Sequence, residues 1–319
     1  MPPVGTAPVV TSAPEQRSPA QLAARILGLL LPHRRASDPE FDARPEHFPF
    51  QLAQLADYIE ADEPIVFTLP GFPCKSPNPA KVLGHLPDEG ERLSLTFLDD
   101  LCTRIGRIHP PGARMLICSD GHIFGDLINV PDEHIDEYSD ELTAMIRRED
   151  LRHLDTFDLR AVLGDLPYDE KRARVHERYA PSVEELREQV VTEQETLRLY
   201  RGITRFLTED TVDFPGTRSA LQRDCRRRAY GVIQRSRAWG ALIAEQHPRS
   251  VRLSIHPQPA GAPKFGIRLL ATPDAWMTPW HSAVLHRADG GWELRRNEEA
   301  ARLGRPVLRE GRPSHYEGY

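Results

Sequence analysis

Two hydrophobic periods alternate along the chain. Residues 65–69 (IVFTL) form a short apolar run rich in β-branched side chains, the mark of a buried strand. Residues 113–118 (ARMLIC) read as a second strand. Between them Leu95, Leu98, Leu101, Cys102 and Ile105 fall on one helical face, which predicts a helix over 91–108. Pro110, Pro111 and Gly112 stop it. Residues 65–118 therefore form a strand–helix–strand unit with a right-handed crossover.

Upstream, Ser18 and Pro19 read as an N-cap followed by proline at the first helical position, and Leu22, Ile26, Leu29 and Leu30 continue as a stripe. A second helix carries Leu52, Leu55, Tyr58 and Ile59 toward the first strand. Downstream the pattern predicts a helix over 132–148, a short strand within 151–159, and two long amphipathic segments over 182–207 and 217–246. β structure returns at 251–256 and 264–270, and 283–287 pairs with 291–296 across the turn Ala288-Asp289-Gly290-Gly291. The sum is an α/β protein with a mostly parallel central sheet, a large helical insertion over 130–246 and a C-terminal β-hairpin. One domain is expected over 21–319, preceded by a disordered tail over 1–20.

Charge and composition narrow the classes of function. The 319 residues carry a formal charge of -6 with acidic and basic residues interspersed, so no face is set aside for nucleic acid. The four cysteines, Cys74, Cys102, Cys118 and Cys225, lie far apart with no C-x-x-C pair, which points to neither zinc nor a disulfide framework and suits a reduced cytoplasm. No apolar stretch approaches the roughly 18–20 residues a membrane span needs. The first residues lack the basic region and apolar core of a secretory signal.

Candidate chemistry gathers where strands end. The loop after the first strand is stiffened by Pro70, Pro73, Pro77 and Pro79, turns at Gly71, and holds Lys75, Ser76, Asn78 and Lys81. Such a loop suits an anion; the plainer alternative is a rigid connector whose lysines face water. Either lysine could also form a Schiff base with a ketone. Ser119, Asp120 and Asp126 follow the second strand, although Ser119-Asp120-Gly121 alone is an ordinary turn signal. His256 and His281 stand out among thirteen histidines because each lies near a strand end beside prolines. Arg223, Arg226, Arg227, Arg228, Arg235 and Arg237 read first as a solvated helix face, with one or two reaching a site. His134 and Asp136 have the H-x-D spacing of a non-haem iron site, but positions two apart on a helix point to different sides, so no metal is expected.

Five segments in order, FTLPGFPCKSPNPAKVLGHLPDEGE, GARMLICSDGHIFGDL, RLSIHPQPAGAPKFGIRLL, TPWHSAVL and GRPSHY, closely resemble the isonitrile (isocyanide) synthase family, also called the pyoverdine/dityrosine biosynthesis family. The resemblance runs from about residue 45 to the carboxyl terminus. It implies a Rossmann-like fold and a lyase-type reaction. In that reaction the α-amino group of tyrosine, or second tryptophan, becomes an isonitrile whose carbon comes from C2 of ribulose 5-phosphate. It implies no cofactor, and a product passed to a separate iron/2-oxoglutarate oxygenase. With it, Lys75, Asp120, His256 and His281 become the expected catalytic residues. Ser76, Asn78, Lys81, Ser119, Asp126, Lys264, Arg268 and Trp280 become the expected substrate-binding residues, with the loop lysines gripping the phosphosugar and Arg268 a carboxylate or phosphate. A non-catalytic relative that binds an amino acid or phosphosugar, and an iron oxygenase using His134 and Asp136, are the competing readings.

Overall fold

The chain folds around a five-stranded parallel sheet in a computed structural model that describes residues 17–119, 121–274 and 276–319. Strand β1 (Ile65–Pro70) is central and buried. It pairs on one side with β2 (Ala113–Cys118) from Ile65↔Ala113 to Pro70↔Cys118, and β2 pairs onward with β3 (Leu154–Phe157). On its other side lies β4 (Val251–Ser254), which reaches β5 (Phe265–Gly266). The order β3-β2-β1-β4-β5 means that the chain builds outward from β1 in one direction and then returns to build in the other. The boundary between β1 and β4 is therefore the switch point, where the loops leaving neighbouring strands diverge and open a crevice.

Local signals explain the elements that frame this crevice. Helix α1 (Pro19–Leu30) begins with a capping box between Ser18 and Gln21, and the expected tail, as far as residue 16, lies outside the described residues. Helix α2 (Pro49–Glu60) buries Leu55 and Tyr58 beside β1. Helix α3 (Glu89–Gly106) makes the crossover from β1 to β2, starting two residues earlier than its apolar stripe predicts because Asp88 caps it and Glu91 closes the box. Helices α4 (Gly121–Ile128), α5 (Asp132–Arg148), α6 (Leu159–Leu163) and α7 (Tyr168–Tyr179) follow β2 and β3. The segment expected as one helix over 182–207 is two, α8 (Val183–Thr192) and α9 (Gln194–Asp210), because Glu193 leaves the helical conformation. Helix α10 (Arg218–Gln246) then packs along α9, α7 and α4.

The C-terminal region departs from expectation in two places. The stretch over 264–270 is a strand for only two residues, since its later backbone groups turn to the N-terminal segment: Arg268 N–H donates to His33 O at 2.7 Å and Arg35 N–H to Gly266 O at 2.8 Å. The expected hairpin, β6 (Ala283–His286) with β7 (Trp292–Arg295), is present but belongs to a second, four-stranded sheet. Helix α11 (Asn297–Leu303), β8 (Gly304–Arg309) and β9 (Arg312–Gly318) complete that sheet, with β9 parallel to β6. No helix among the described residues is long and apolar enough to cross a membrane.

The loop after β1 lies against the first turn of α4. A side chain on Gly121 would run into the Pro73 carbonyl oxygen and come within 2.7 Å of Ile135 Cγ2. Neither neighbour is a flexible chain end, so Gly121→Ala is expected to lower stability by about 1–3 kcal/mol, as overpacking does. Urea unfolding checks this, and an unchanged midpoint would mean that the loop does not press on α4 as described.

Candidate active site

Lys75 enters the interior instead of facing the crevice as a free cation. Its Nζ lies 2.8 Å from Asp88 Oδ2 and 2.8 Å from Glu91 Oε2, and it donates to Pro279 O at 3.1 Å. The two carboxylates are together because both serve the N-terminus of α3: Asp88 Oδ1 accepts from Gly90 N–H, and Glu91 Oε2 accepts from Asp88 N–H. Burial opposes the lysine's charge, yet the two carboxylates outweigh it and raise its pKa. One ammonium cannot neutralise both acids. Burial first, with Glu91 adding to it against the pull of Lys75, pushes Asp88 up to about 7. Tyr138 extends the cluster by donating to Glu91 Oε1 at 3.1 Å.

Lys81 repeats the arrangement. Its Nζ lies 2.9 Å from Glu209 Oε2 and 2.5 Å from Asp210 Oδ1, at the end of α9. Asn78 Nδ2 donates to Glu209 O at 2.7 Å, and Ser76 Oγ accepts from Asn78 N–H at 3.1 Å. The expected phosphate grip therefore needs correction. Each loop lysine is already held by two carboxylates, and Asn78 fastens the loop to α9.

The crevice itself is a cleft of about 1200 Å³, its open mouth included. Its apolar walls come from Phe124 and Ile128 of α4, Ile203 and Phe206 of α9, and Val232 and Ile233 of α10, with Trp276 packed against Gly202 of α9. His256 leaves β4 and lines it, its ring 5.6 Å from that of Trp276. Burial, then Arg35 and Lys264, push the His256 imidazole down to about 4. His281 lines the cleft beside it, with Nδ1 3.1 Å from Thr278 Oγ1 and its ring 4.6 Å from Phe206. Burial, then Lys81 and Lys75, hold His281 well below the usual range. Both imidazoles are thus neutral near pH 7 and able to accept a proton. Trp280 packs on Phe72 at 5.0 Å between ring centres, and Trp280 O accepts from Ser76 N–H at 2.8 Å.

The other expected residues scatter. Ser119 donates to Phe72 O at 3.2 Å behind the loop, and Asp120 lies outside the described residues. Asp126 does not face the cleft; it pairs with Arg235 and, at 3.9 Å, with Arg172 on the outer side of α4. Arg268 is exposed and its guanidinium donates to Pro32 O at 3.3 Å, so it cannot clamp a substrate here. Its register on a short strand end turned it outward. Lys264 lines a recess adjoining the cleft. His134 stacks on His85 at 4.6 Å, while Asp136 accepts from Tyr168 Oη at 2.5 Å. No three His, Cys, Asp or Glu side chains among the described residues are grouped to hold a metal ion.

Residues that the sequence reading missed include Asp88, Glu91, Glu209 and Asp210. Asp88-x-x-Glu91 was available as a capping-box spacing; the pairing of α9 with a loop some 130 residues earlier had no local signal. The arginine run divides as expected: Arg223, Arg226 and Arg227 are exposed, whereas Arg237 reaches the recess.

Parallel strands with a cleft at the switch point, walled by aromatics and holding two neutral histidines, define an α/β protein of the Rossmann-like class. The chain belongs to the family of pyoverdine/dityrosine biosynthesis proteins, whose profile matches residues 55–305. It is 47% identical to an L-tyrosine isonitrile synthase of Pseudomonas aeruginosa, over 92% of this chain and 94% of that protein. It is 39% identical to an L-tryptophan isonitrile synthase of Fischerella ambigua, over 83% of this chain and 81% of that one. The crystal structure of the PvcA protein from Pseudomonas aeruginosa matches with a TM-score of 0.87 at 46% identity, covering 93% of this chain and 99% of that chain.

The histidines give the fold a dependence on pH. Folded, His256 takes up a proton only near 4; unfolded, it does so near 6.5. Its contribution is therefore complete above pH 6.5 and is lost as the pH falls toward 4, by up to about 3 kcal/mol. Urea unfolding between about pH 7 and 4.5 should show stability falling with acid, and His256→Gln should flatten part of that slope. An identical slope in the variant would mean that His256 is not buried as described.

Proposed function

We propose that this chain is an isonitrile synthase that acts on an aromatic L-amino acid, tyrosine first and tryptophan second, and takes the isonitrile carbon from C2 of ribulose 5-phosphate. The observation that carries the reading is the cleft itself: aromatic and apolar walls beside two neutral imidazoles and a buried acid with a pKa of about 7. The names of the relatives support the same chemistry.

The residues suit the steps such a reaction needs. The side chain of the amino acid fits between Phe124, Phe206 and Trp276, where contact with apolar surface favours it over water. Its amine must lose a proton before nitrogen can attack the ketone carbon; the attack releases water and leaves an imine. His281 or His256, neutral beforehand, takes that proton. Cleavage of the carbon–carbon bonds on either side of C2 and departure of phosphate require protons to move again. Asp88, poised between its two forms near neutral pH, is matched to that task through Lys75. A cleft walled by prolines and aromatics limits the water that reaches the imine. The product would pass to a separate iron/2-oxoglutarate oxygenase in natural-product biosynthesis.

The test is turnover with a labelled carbon. Purified protein is incubated with ribulose 5-phosphate carrying carbon-13 at C2 and with tyrosine or tryptophan in turn. Mass spectrometry should find the isonitrile one mass unit heavier, more with tyrosine than with tryptophan. His281→Ala should lower kcat by about 100-fold or more while leaving the protein folded, as loss of a proton-transfer group does. Absence of labelled isonitrile with either amino acid would refute the reading.

A further inference from the structure

Beside the aromatic cleft lies a second recess, between α9, α10 and the segment over 254–264, and its charge is lopsided. Arg198, Arg201, Arg205, Arg237 and Lys264 line it against one carboxylate, Glu195. That carboxylate is matched by Arg198 at 2.7 Å, and Arg205 is matched by Asp274 at 2.7 Å. Among the described residues no carboxylate lies within ion-pair distance of Lys264, Arg201 or Arg237. Arg237 is fixed directly by neutral partners, Gln189 and, at 3.1 Å, Thr196 Oγ1, while Glu193 supports its charge from beyond Thr196.

Lys264 is the sharpest anomaly. It is largely buried, and Arg252 and Arg237 repel its charge in the same direction as burial does. Its ammonium converges with the Arg252 guanidinium over Gly240: a Cβ there would lie 3.6 Å from Lys264 Nζ and 3.4 Å from Arg252 Nη2. The glycine leaves room for both. Arg252 has a backbone partner, Gly240 O at 3.0 Å, and Lys264 has none among the described residues. A buried cation without a counter-charge is costly unless an anion visits it. The loop lysines show the opposite condition, each with two carboxylates in place.

The recess and the cleft share His256, Ser236 and Trp276 along their common wall. A molecule anchored in the recess by an anionic end would therefore present its other end at the imidazole. We propose that this recess is the phosphate subsite: Lys264 and Arg237 hold the phosphate monoester of a short sugar, whose carbon chain passes His256 into the aromatic cleft. The inference rests on the reading that a sugar phosphate is the second substrate, and it moves the phosphate from the proline-rich loop to the opposite side of the cleft. Arg201, exposed at the rim, would guide the dianion inward.

The test uses Lys264→Met and Arg237→Met, with Lys264→Arg as the charge-keeping control and circular dichroism to establish that each is folded. Ribulose 5-phosphate binding is followed by phosphorus NMR and calorimetry, and KM is measured for both substrates. Each Met variant should weaken ribulose 5-phosphate at least about tenfold, with the amino-acid KM within about twofold and Lys264→Arg recovering most of the loss. If Lys264→Met does not fold, Arg237→Met carries the same reading. Wild-type turnover combined with unchanged sugar-phosphate binding in the folded variants would overturn the subsite and leave the proposed function standing. Sugar-phosphate binding lost in the variants, without isonitrile from the wild type, would support the subsite and overturn the function.

Discussion

One buried cation organises this molecule. Lys75 leaves the proline-rich loop after β1, meets the two carboxylates that begin α3, and touches the backbone just before His281. The loop, the start of α3 thirteen residues on and a segment 204 residues on are thereby fixed to one another at the switch point of the sheet. Removing the lysine would leave two buried carboxylates without a cation, a loss of about 3–5 kcal/mol for a pair of this kind. The prolines stiffen the loop, and that contact ties it to the segment that carries His281.

The clusters also set the protonation of the cleft. Lys81 and Lys75 stand among carboxylates, and their positive potential adds to burial in keeping His281 neutral. Arg35, whose guanidinium donates to Ile255 O at 2.7 Å and Met277 O at 2.9 Å, acts with Lys264 in the same way on His256. The carboxylates that bind the loop lysines offset the charge on that side of the cleft, whereas Lys264 and Arg237 in the recess past His256 have no carboxylate within ion-pair distance among the described residues.

Much of the frame is legible in the sequence because it is local. The β-branched runs at 65–69 and 113–118, the stripe of Leu95, Leu98 and Leu101, and the Ser18-Pro19 cap each need only their neighbours to be read. Membership of His256 in the cleft followed from its place at the end of β4, whereas His281 reaches the cleft from a 3-10 turn just before β6 of the second sheet. The partners of the lysines were not legible. A lysine in a polar loop looks like a free charge until Asp88, Glu91, Glu209 and Asp210 arrive from helix ends, and for α9 only tertiary folding brings them. Arg268 lies elsewhere for a related reason: the strand expected over 264–270 stops at Gly266, and the backbone beyond it pairs with the N-terminal segment at His33. The extra pair β8 and β9 escaped notice because Arg305, Arg309 and Arg312 interrupt its apolar pattern.

The cluster around Lys75 holds one more acid than it has cations, and Asp88 keeps a proton to compensate below about pH 7. Infrared spectroscopy in heavy water reads this directly, since a protonated carboxylic acid has a carbonyl stretch separate from that of a carboxylate. A band from one buried protonated acid should be present at pH 6, fade as the pH rises through about 7, and be missing in Asp88→Asn. A wild-type spectrum at pH 6 with no such band would contradict the account.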